Sequence, residues 1–248
     1  MNPDYHLERL VDPNDPRLEC IYRTLLDVYF LRAEIDPIRK TRQFIENTCK
    51  SAVNPYFLIV AFRSDSKEPV ALLSGHAIEG GYGAIGYIAT MQEHRGKGIA
   101  TALLSAFEEE VCKHSKVPKL VITEGTQASG LFWDAVGYMK VQDGNKEVTY
   151  FQPPVDFEST TGQPVQKEVK ETLRFKLLYK GKLRIKDLRE WLIQAVDETS
   201  NVWYIPKREK FHSDEAFQNA SEYARKIIDS NVNNIRKSRR LNIYLKRV

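Results

Sequence analysis

Cysteine is scarce in this chain: Cys20, Cys49 and Cys112 are the only three in 248 residues, odd in number and far apart. That pattern fits a reducing compartment better than a disulfide framework and lacks the paired spacing of a metal site, so no metal is expected. Long apolar runs are missing too. Nothing approaches the ~18 consecutive apolar residues of a membrane helix, so no membrane partner is expected. The first 20 residues, MNPDYHLERLVDPNDPRLEC, hold no basic stretch followed by an apolar one, and the expected location is the cytoplasm. A Walker phosphate loop, GxxxxGK[ST], is absent, and so is any internal repeat.

What is plentiful is charge, 37 Lys and Arg against 33 Asp and Glu for a net +4, and it is unevenly spread. Residues 156–248 hold 20 basic and 13 acidic side chains, while the rest holds 17 and 20. Between the two parts lies PPVDFESTTGQPVQKE (153–168), whose Pro, Ser, Thr and Gly read as a linker or long surface loop. The expectation is one domain over residues 1–155 and a basic C-terminal extension or small domain over 156–248. The tail NNIRKSRRLNIYLKRV pairs cations with Tyr244, which suits phosphate contacts plus a stacking ring. An excess of +7 over this length is modest, so a solvated helix face is preferred to a nucleic-acid surface. The same half could cover an acceptor site or build a homodimer interface.

Periodicity gives the elements. YHLERLV (5–11) reads as a strand, DPNDPRLECIYRTLLDVYFL as a helix with Pro16 early in it, and DPIRKTRQFIENTCKS as a second helix from near Asp36. YFLIVAF (56–62) and VALLSGHAI (70–78) are strands about a polar turn, and the glycines of EGGYG permit a hairpin into AIGYIATM (84–91). EVTYFQ (147–152) reads as a last strand of the first domain. Beyond it, ETLRFKLLY reads as a strand and NVWYIP as another. IKDLREWLIQAVDET is an amphipathic helix with Leu188, Trp191, Leu192, Ala195 and Val196 on its apolar face, and a further helix starts at the capping residue Ser213.

One stretch carries chemistry: HRGKGIATALLSAFEEEV (94–111). Ile99, Leu103, Phe107 and Val111 fall at intervals of four, so the segment after Gly98 is a helix with one apolar face. Its order is strand, glycine-rich turn, helix. Unpaired amides and the positive end of the helix dipole then converge on one spot. Glycines admit a ligand close to the backbone, and Arg95 and Lys97 add full charges. An anion site follows, most naturally for phosphate or pyrophosphate, built from Arg95, Gly96, Lys97, Gly98, Ile99, Ala100 and Thr101. The dinucleotide fingerprint GxGxxG is only half met, because Thr101 stands where its third glycine should be.

RGKGIATALL resembles the signature of the GNAT superfamily of N-acetyltransferases (Arg or Gln, two residues, Gly, one residue, Gly or Ala), matched by Arg95, Gly98 and Ala100. KLVITEGTQASGLFWDAVGYMKV (119–141) is similar to a second family unit, and the resemblance covers about residues 1–155. It implies an α/β (α+β) fold, a mixed and mostly antiparallel sheet flanked by helices, with the α+β extension after it. It also implies transfer of an acetyl group from acetyl-CoA, as co-substrate, to a primary amine of a small molecule or peptide by direct attack on the thioester. Alternatives are an acetyltransferase for RNA-linked or protein amines docked by the basic half, a CoA-binding regulatory module without turnover, and another acyl donor.

The family frame implies roles for named residues. The loop wraps the pyrophosphate, and the pantetheine arm runs along Ile88, Ala89 and Thr90. Where the family has a tyrosine that reprotonates the leaving thiolate, this chain has Trp133, whose indole is no acid at neutral pH. Trp133 is expected to flank the pantetheine or thiol, while Phe132 and Tyr138 pack in the core. Thr126 replaces a common asparagine and can still cap the helix. Gln92 replaces a customary proline before Arg95. The strand 83–88 carries no Asp or Glu, so Glu124 after KLVIT is the first candidate for general base, with Tyr82 as a candidate proton donor. His76 and Glu79 are weaker candidates for the same work.

Overall fold

A computed structural model describes residues 4–30, 35–51, 53–125, 129–238 and 241. The chain divides into two compact units, Met1–Val121 and Ile122–Val248.

In the first unit β1 (Tyr5–Arg9) leads to α1 (Arg17–Ile21), a wide π-type turn (Tyr22–Leu26) and the short α2 (Asp27–Tyr29). The helix expected here therefore runs through all three, with right-handed helical backbone at each junction and a π-type segment in its middle, and Phe30 leaves it in extended backbone. Helix α3 (Ile38–Lys50) follows, then β2 (Tyr56–Arg63), β3 (Pro69–Ile78), β4 (Tyr82–Thr90), α4 (Ile99–Lys113) and the start of β5 (Leu120–Gly125). Strands β1 to β4 pair antiparallel in chain order.

All ten residues of β3 and the first seven of β2 are buried. Such unbroken apolar runs occur where both faces of a sheet are covered. Successive side chains point to opposite faces. Tyr56 and His76 accordingly meet Phe44 of α3, with ring centroids 5.2 and 4.8 Å away, and Phe57 meets Phe107 of α4 at 6.1 Å. A Cβ on Gly75 would stand 2.4 Å from the Ala84 carbonyl oxygen and 2.8 Å from the Phe107 ring, so glycine is what lets α4 sit down on β3.

The second unit opens with Ile122–Gly125 of β5, then α5 (Gly130–Ala135), β6 (Met139–Lys140), β7 (Gln142–Asp143), β8 (Lys146–Glu147), β9 (Tyr150–Gln152), β10 (Val169–Leu177), α6 (Ile185–Trp203) and α7 (Asp214–Lys237). Strand β10 pairs antiparallel with both β9 and β6. The segment 147–152 is thus two short strands, Lys146–Glu147 turning back on β7 and Tyr150–Gln152 joining β10. The predicted strand NVWYIP is not one: Asn201–Trp203 continue α6, and the Tyr204 amide still donates to the Ser200 carbonyl at 2.8 Å. Helical bonding carried over from the preceding turns outweighs the strand preference of Val202 and Trp203.

Helices α6 and α7 pack on each other, with Leu188, Leu192, Ala195 and Val196 buried at helical spacing on one and Ala224 and Ile228 on the other, while Ala216 and Ala220 at the start of α7 pack with Phe211, Phe157 and Phe217. Ser213 caps α7, its hydroxyl accepting from the Ala216 amide at 3.1 Å. The proline-rich stretch is an ordered loop. Val165 donates to the Asp156 carbonyl, and Gly162, at φ +71°, lies where any Cβ would strike the Ala216 carbonyl oxygen of α7.

Candidate acyl-donor site and acid–base groups

Strand β4 delivers the chain to the glycine-rich loop. Ser74 of β3 pairs with Tyr87, but the next residue, Gly75, pairs with Ile85, so Gly86 is an extra residue on β4. This bulge bends the strand, and beyond it Tyr87, Ile88 and Thr90 become half-buried while Ala89 stays buried. A glycine inside an otherwise apolar strand is the sequence signal for it.

After β4 the Met91 amide donates to the Val70 carbonyl at 2.9 Å, and Gln92–His94 form one 3-10 turn. Gly96 and Gly98 then take the left-handed conformation at φ +74° and +78°, which other residues adopt only with strain. Among the described residues, chain neighbours aside, nothing lies within 4 Å of the point where a Cβ would stand on either glycine. Gly98 caps α4 without a side chain, leaving the first-turn amides of Ile99, Ala100 and Thr101 with no side-chain cap bond. An open floor over two positive-φ glycines and a helix N-terminus fits a phosphate group.

Two tyrosines hold the loop's cations. The Arg95 Nε donates to the Thr90 carbonyl at 3.1 Å and its guanidinium lies 5.3 Å over the Tyr29 ring, while the Tyr29 hydroxyl accepts from the Gln92 amide at 3.0 Å. Lys97 donates to the Tyr5 hydroxyl at 3.2 Å, and that hydroxyl in turn meets Nδ1 of buried His94 at 2.9 Å. Ile88 to Thr90 and Arg95 to Thr101 thus form one continuous strand, loop and helix start.

On the α3 face of the first unit lies a polar group that the sequence did not reveal. Asp36 accepts from Lys40 at 2.6 Å, and its amide donates to the Tyr87 hydroxyl at 2.8 Å; Tyr22 shares a short bond with Thr41. Burial pushes the Tyr56 hydroxyl up to about 12 and Tyr87 well above the usual tyrosine range. His76 Nδ1 donates to the Asn54 carbonyl at 3.0 Å, and burial pulls its imidazole down to about 4. It is a neutral core group. Glu79 follows β3 at the hairpin, its amide donating to the Asn54 side chain. Tyr82 sits at the hairpin end of β4, 1% exposed, and its hydroxyl accepts from Lys119 at 2.9 Å. Eight residues of strand, about 26 Å, separate it from Thr90.

In the second unit Glu124 accepts from two hydroxyls: Tyr150 donates a short bond to Oε1, and Tyr204 donates to Oε2 at 2.9 Å. Burial raises the carboxyl's pKa, and the two tyrosine bonds oppose that rise. Trp133 is 3% exposed, its ring 4.9 Å from Tyr138 and its Nε1 3.1 Å from where a Cβ on Gly125 would stand. The indole therefore belongs to the core of this unit together with Tyr138. Thr126 and most of the basic tail, including Tyr244, lie outside the described residues. Among the described residues no cluster of three or more His, Cys, Asp or Glu could hold a metal, and no helix is long and apolar enough to cross a membrane.

These features describe an α/β protein, its sheet mostly antiparallel and flanked by helices, with a glycine-rich strand-to-helix turn after β4. Residues 19–138 match the model of the acetyltransferase (GNAT) family, and that match implies acyl transfer from acetyl-CoA to an amine. The fold is similar to that of a GNAT-family protein from Bacteroides thetaiotaomicron, with 14% identity, 78% of this chain and 98% of that chain covered, and a TM-score of 0.51. Other similar structures are a phosphinothricin acetyltransferase from Sinorhizobium meliloti in complex with AcCoA (13% identity, 72% and 91% covered, TM-score 0.49) and a ribosomal-protein-alanine N-acetyltransferase from Brucella melitensis (19% identity, 70% and 99% covered, TM-score 0.47). No curated protein matches the sequence.

Proposed function

We propose that the protein moves an acetyl group from acetyl-CoA to a primary amine by direct attack of the amine on the thioester. The observation that carries this reading is the pair of open, positive-φ glycines, Gly96 and Gly98, at the N-terminus of α4. In this reading the backbone from Gly96 to Thr101 holds the pyrophosphate, with Arg95 and Lys97 as charged partners. Ile88, Ala89 and Thr90, past the bulge, are the residues assigned to the pantetheine arm. Acetyl-CoA supplies an activated acyl group; the chain has to fix it in place and manage the amine's proton.

Glu124 is assigned as the general base from its own surroundings, a carboxylate with raised proton affinity and no cation among the groups that set its ionisation. Tyr82 receives no catalytic part, because its hydroxyl already serves Lys119 at the hairpin. The donor loop belongs to the first compact unit, and Glu124 with its partners Tyr150 and Tyr204 belongs to the second.

The test is titration calorimetry with acetyl-CoA, using ATP and NADH as controls, followed by thiol release on a panel of primary amines. Selective micromolar binding and amine-dependent release of thiol are expected. Equal binding of ATP would retire the coenzyme reading.

A further inference from the structure

Buried carboxylates are ordinarily matched by Lys or Arg, because an unpaired buried charge is costly. Glu124, half-buried on β5, has no such partner among the described residues. Its two oxygens are taken by two neutral hydroxyls, from Tyr150 of β9 and from Tyr204 at the C-terminal end of α6, residues 26 and 80 positions away. Both tyrosines are nearly sealed, at 2% and 6% exposure. A carboxylate locked in an ion pair loses its partner's attraction on protonation. One held by hydroxyls can gain and lose a proton while the donors merely reorient, since a hydroxyl both donates and accepts. The two bonds also fix the carboxylate plane, which a half-buried side chain otherwise leaves free. Neither tyrosine lies within residues 19–138, the extent of the family domain.

We propose that Tyr150 and Tyr204 are positioning residues for Glu124, so that the chain beyond the family domain completes the base. The inference rests on Glu124 being the base of the proposed reaction. In the step concerned, Glu124 takes a proton from the attacking amine nitrogen as the C–N bond forms and the C–S bond breaks. It then releases that proton to the departing thiolate, so the count closes without any further reactant. By this reasoning the extension takes part in the reaction, because the Tyr204 hydroxyl orients a group on β5.

The experiment uses the full chain and the variants Tyr150→Phe, Tyr204→Phe and Glu124→Gln, each checked for an unchanged fold by its melting curve. Carboxyl-¹³C-glutamate labelling follows the ionisation of Glu124 without any acceptor, with Glu124→Gln assigning the signal. Each hydroxyl favours the ionised form, so each Phe variant should raise the Glu124 midpoint by about one pH unit. The acidic limb of kcat for acetyl transfer to the best amine of the panel should move up by the same amount, with KM for acetyl-CoA unchanged. A Glu124 midpoint that stays put in both variants overturns the proposal. A midpoint that moves while Glu124→Gln keeps full turnover also overturns it, because the clamp would then serve no base. Failure of the donor reading would show separately, as absent acetyl-CoA binding in the wild-type protein.

Discussion

Lys97 donates a hydrogen bond to the Tyr5 hydroxyl at 3.2 Å, tying the glycine-rich loop to the first strand across 92 positions of sequence. The hydroxyl is itself held by His94 at 2.9 Å, so the ammonium is fixed by a chain of two bonds and not left to sweep solvent. Tyr5→Phe frees Lys97 at the cost of one oxygen. Acetyl-CoA affinity should fall roughly three- to tenfold, the worth of one hydrogen bond to a charged group near the surface. S-acetylpantetheine, which lacks the pyrophosphate, should bind the variant as it binds the wild type. Calorimetry with both ligands decides the matter, and an equal loss for both would remove Lys97 from the phosphate site.

Gly98→Asp probes the floor of the same site. At φ +78° any side chain is strained by about 1 to 2 kcal/mol, yet among the described residues nothing beyond the chain neighbours lies within 4 Å of the new Cβ, so the domain should fold with a melting point a few degrees lower. The added carboxylate faces the position assigned to the pyrophosphate, and acetyl-CoA affinity should drop at least tenfold. Gly98→Ala separates the causes, sharing the strain without the charge. Undiminished affinity in folded Gly98→Asp would place the phosphates elsewhere.

Much of this was legible in the sequence because it is local. The apolar runs of β2 and β3, the stripe Ile99, Leu103, Phe107 and Val111, and the two glycines before it each state their role within a dozen residues. Pairing across the chain was not legible. The bulge at Gly86 exists only relative to Ser74 and Gly75 on the neighbouring strand, and the polar group around Asp36 assembles from Tyr22, Thr41 and Tyr87 by tertiary packing. Glu124 stands out as a carboxylate near the end of a strand, but its partners lie far along the chain. Trp133 misleads for a related reason: an aromatic at a family position says nothing of which way its ring is buried, and here it turns to Tyr138.

His76 should make the protein sensitive to mild acid. Burial holds its folded pKa at about 4, below the ordinary value of 6.5. The unfolded chain therefore binds a proton through the window from pH 6.5 down to 4, while the folded one does not. Stability falls as pH falls through that window, by ~3 kcal/mol in total. In His76→Phe the ring still packs on Phe44 and Tyr56, 4.8 and 5.0 Å away in the wild type, but cannot take up a proton. Urea unfolding at pH 6.5 and 4.5 should show a smaller acid loss in the variant. Identical losses would mean that His76 is already charged in the folded protein.

Trp133→Tyr tests whether this enzyme lacks an acid or simply packs a larger ring. If the indole only blocked a catalytic position, the variant would place a phenol beside the leaving thiolate and turnover would rise. The surroundings argue otherwise. Trp133 is 3% exposed, packs against Tyr138 and Phe132, and brings Nε1 so near Gly125 that a Cβ there would stand 3.1 Å away. Tyrosine in its place leaves part of that volume empty and puts a phenol into the core, a loss of about 1 to 3 kcal/mol. Gly125→Ala, approaching the same ring from the strand, should cost a comparable amount by overpacking. The expected result is a lower melting point for both variants and no gain in amine-dependent thiol release at any pH. A rise in turnover for Trp133→Tyr, above all one with an alkaline limb near the tyrosine range, would restore the indole position to the reaction centre.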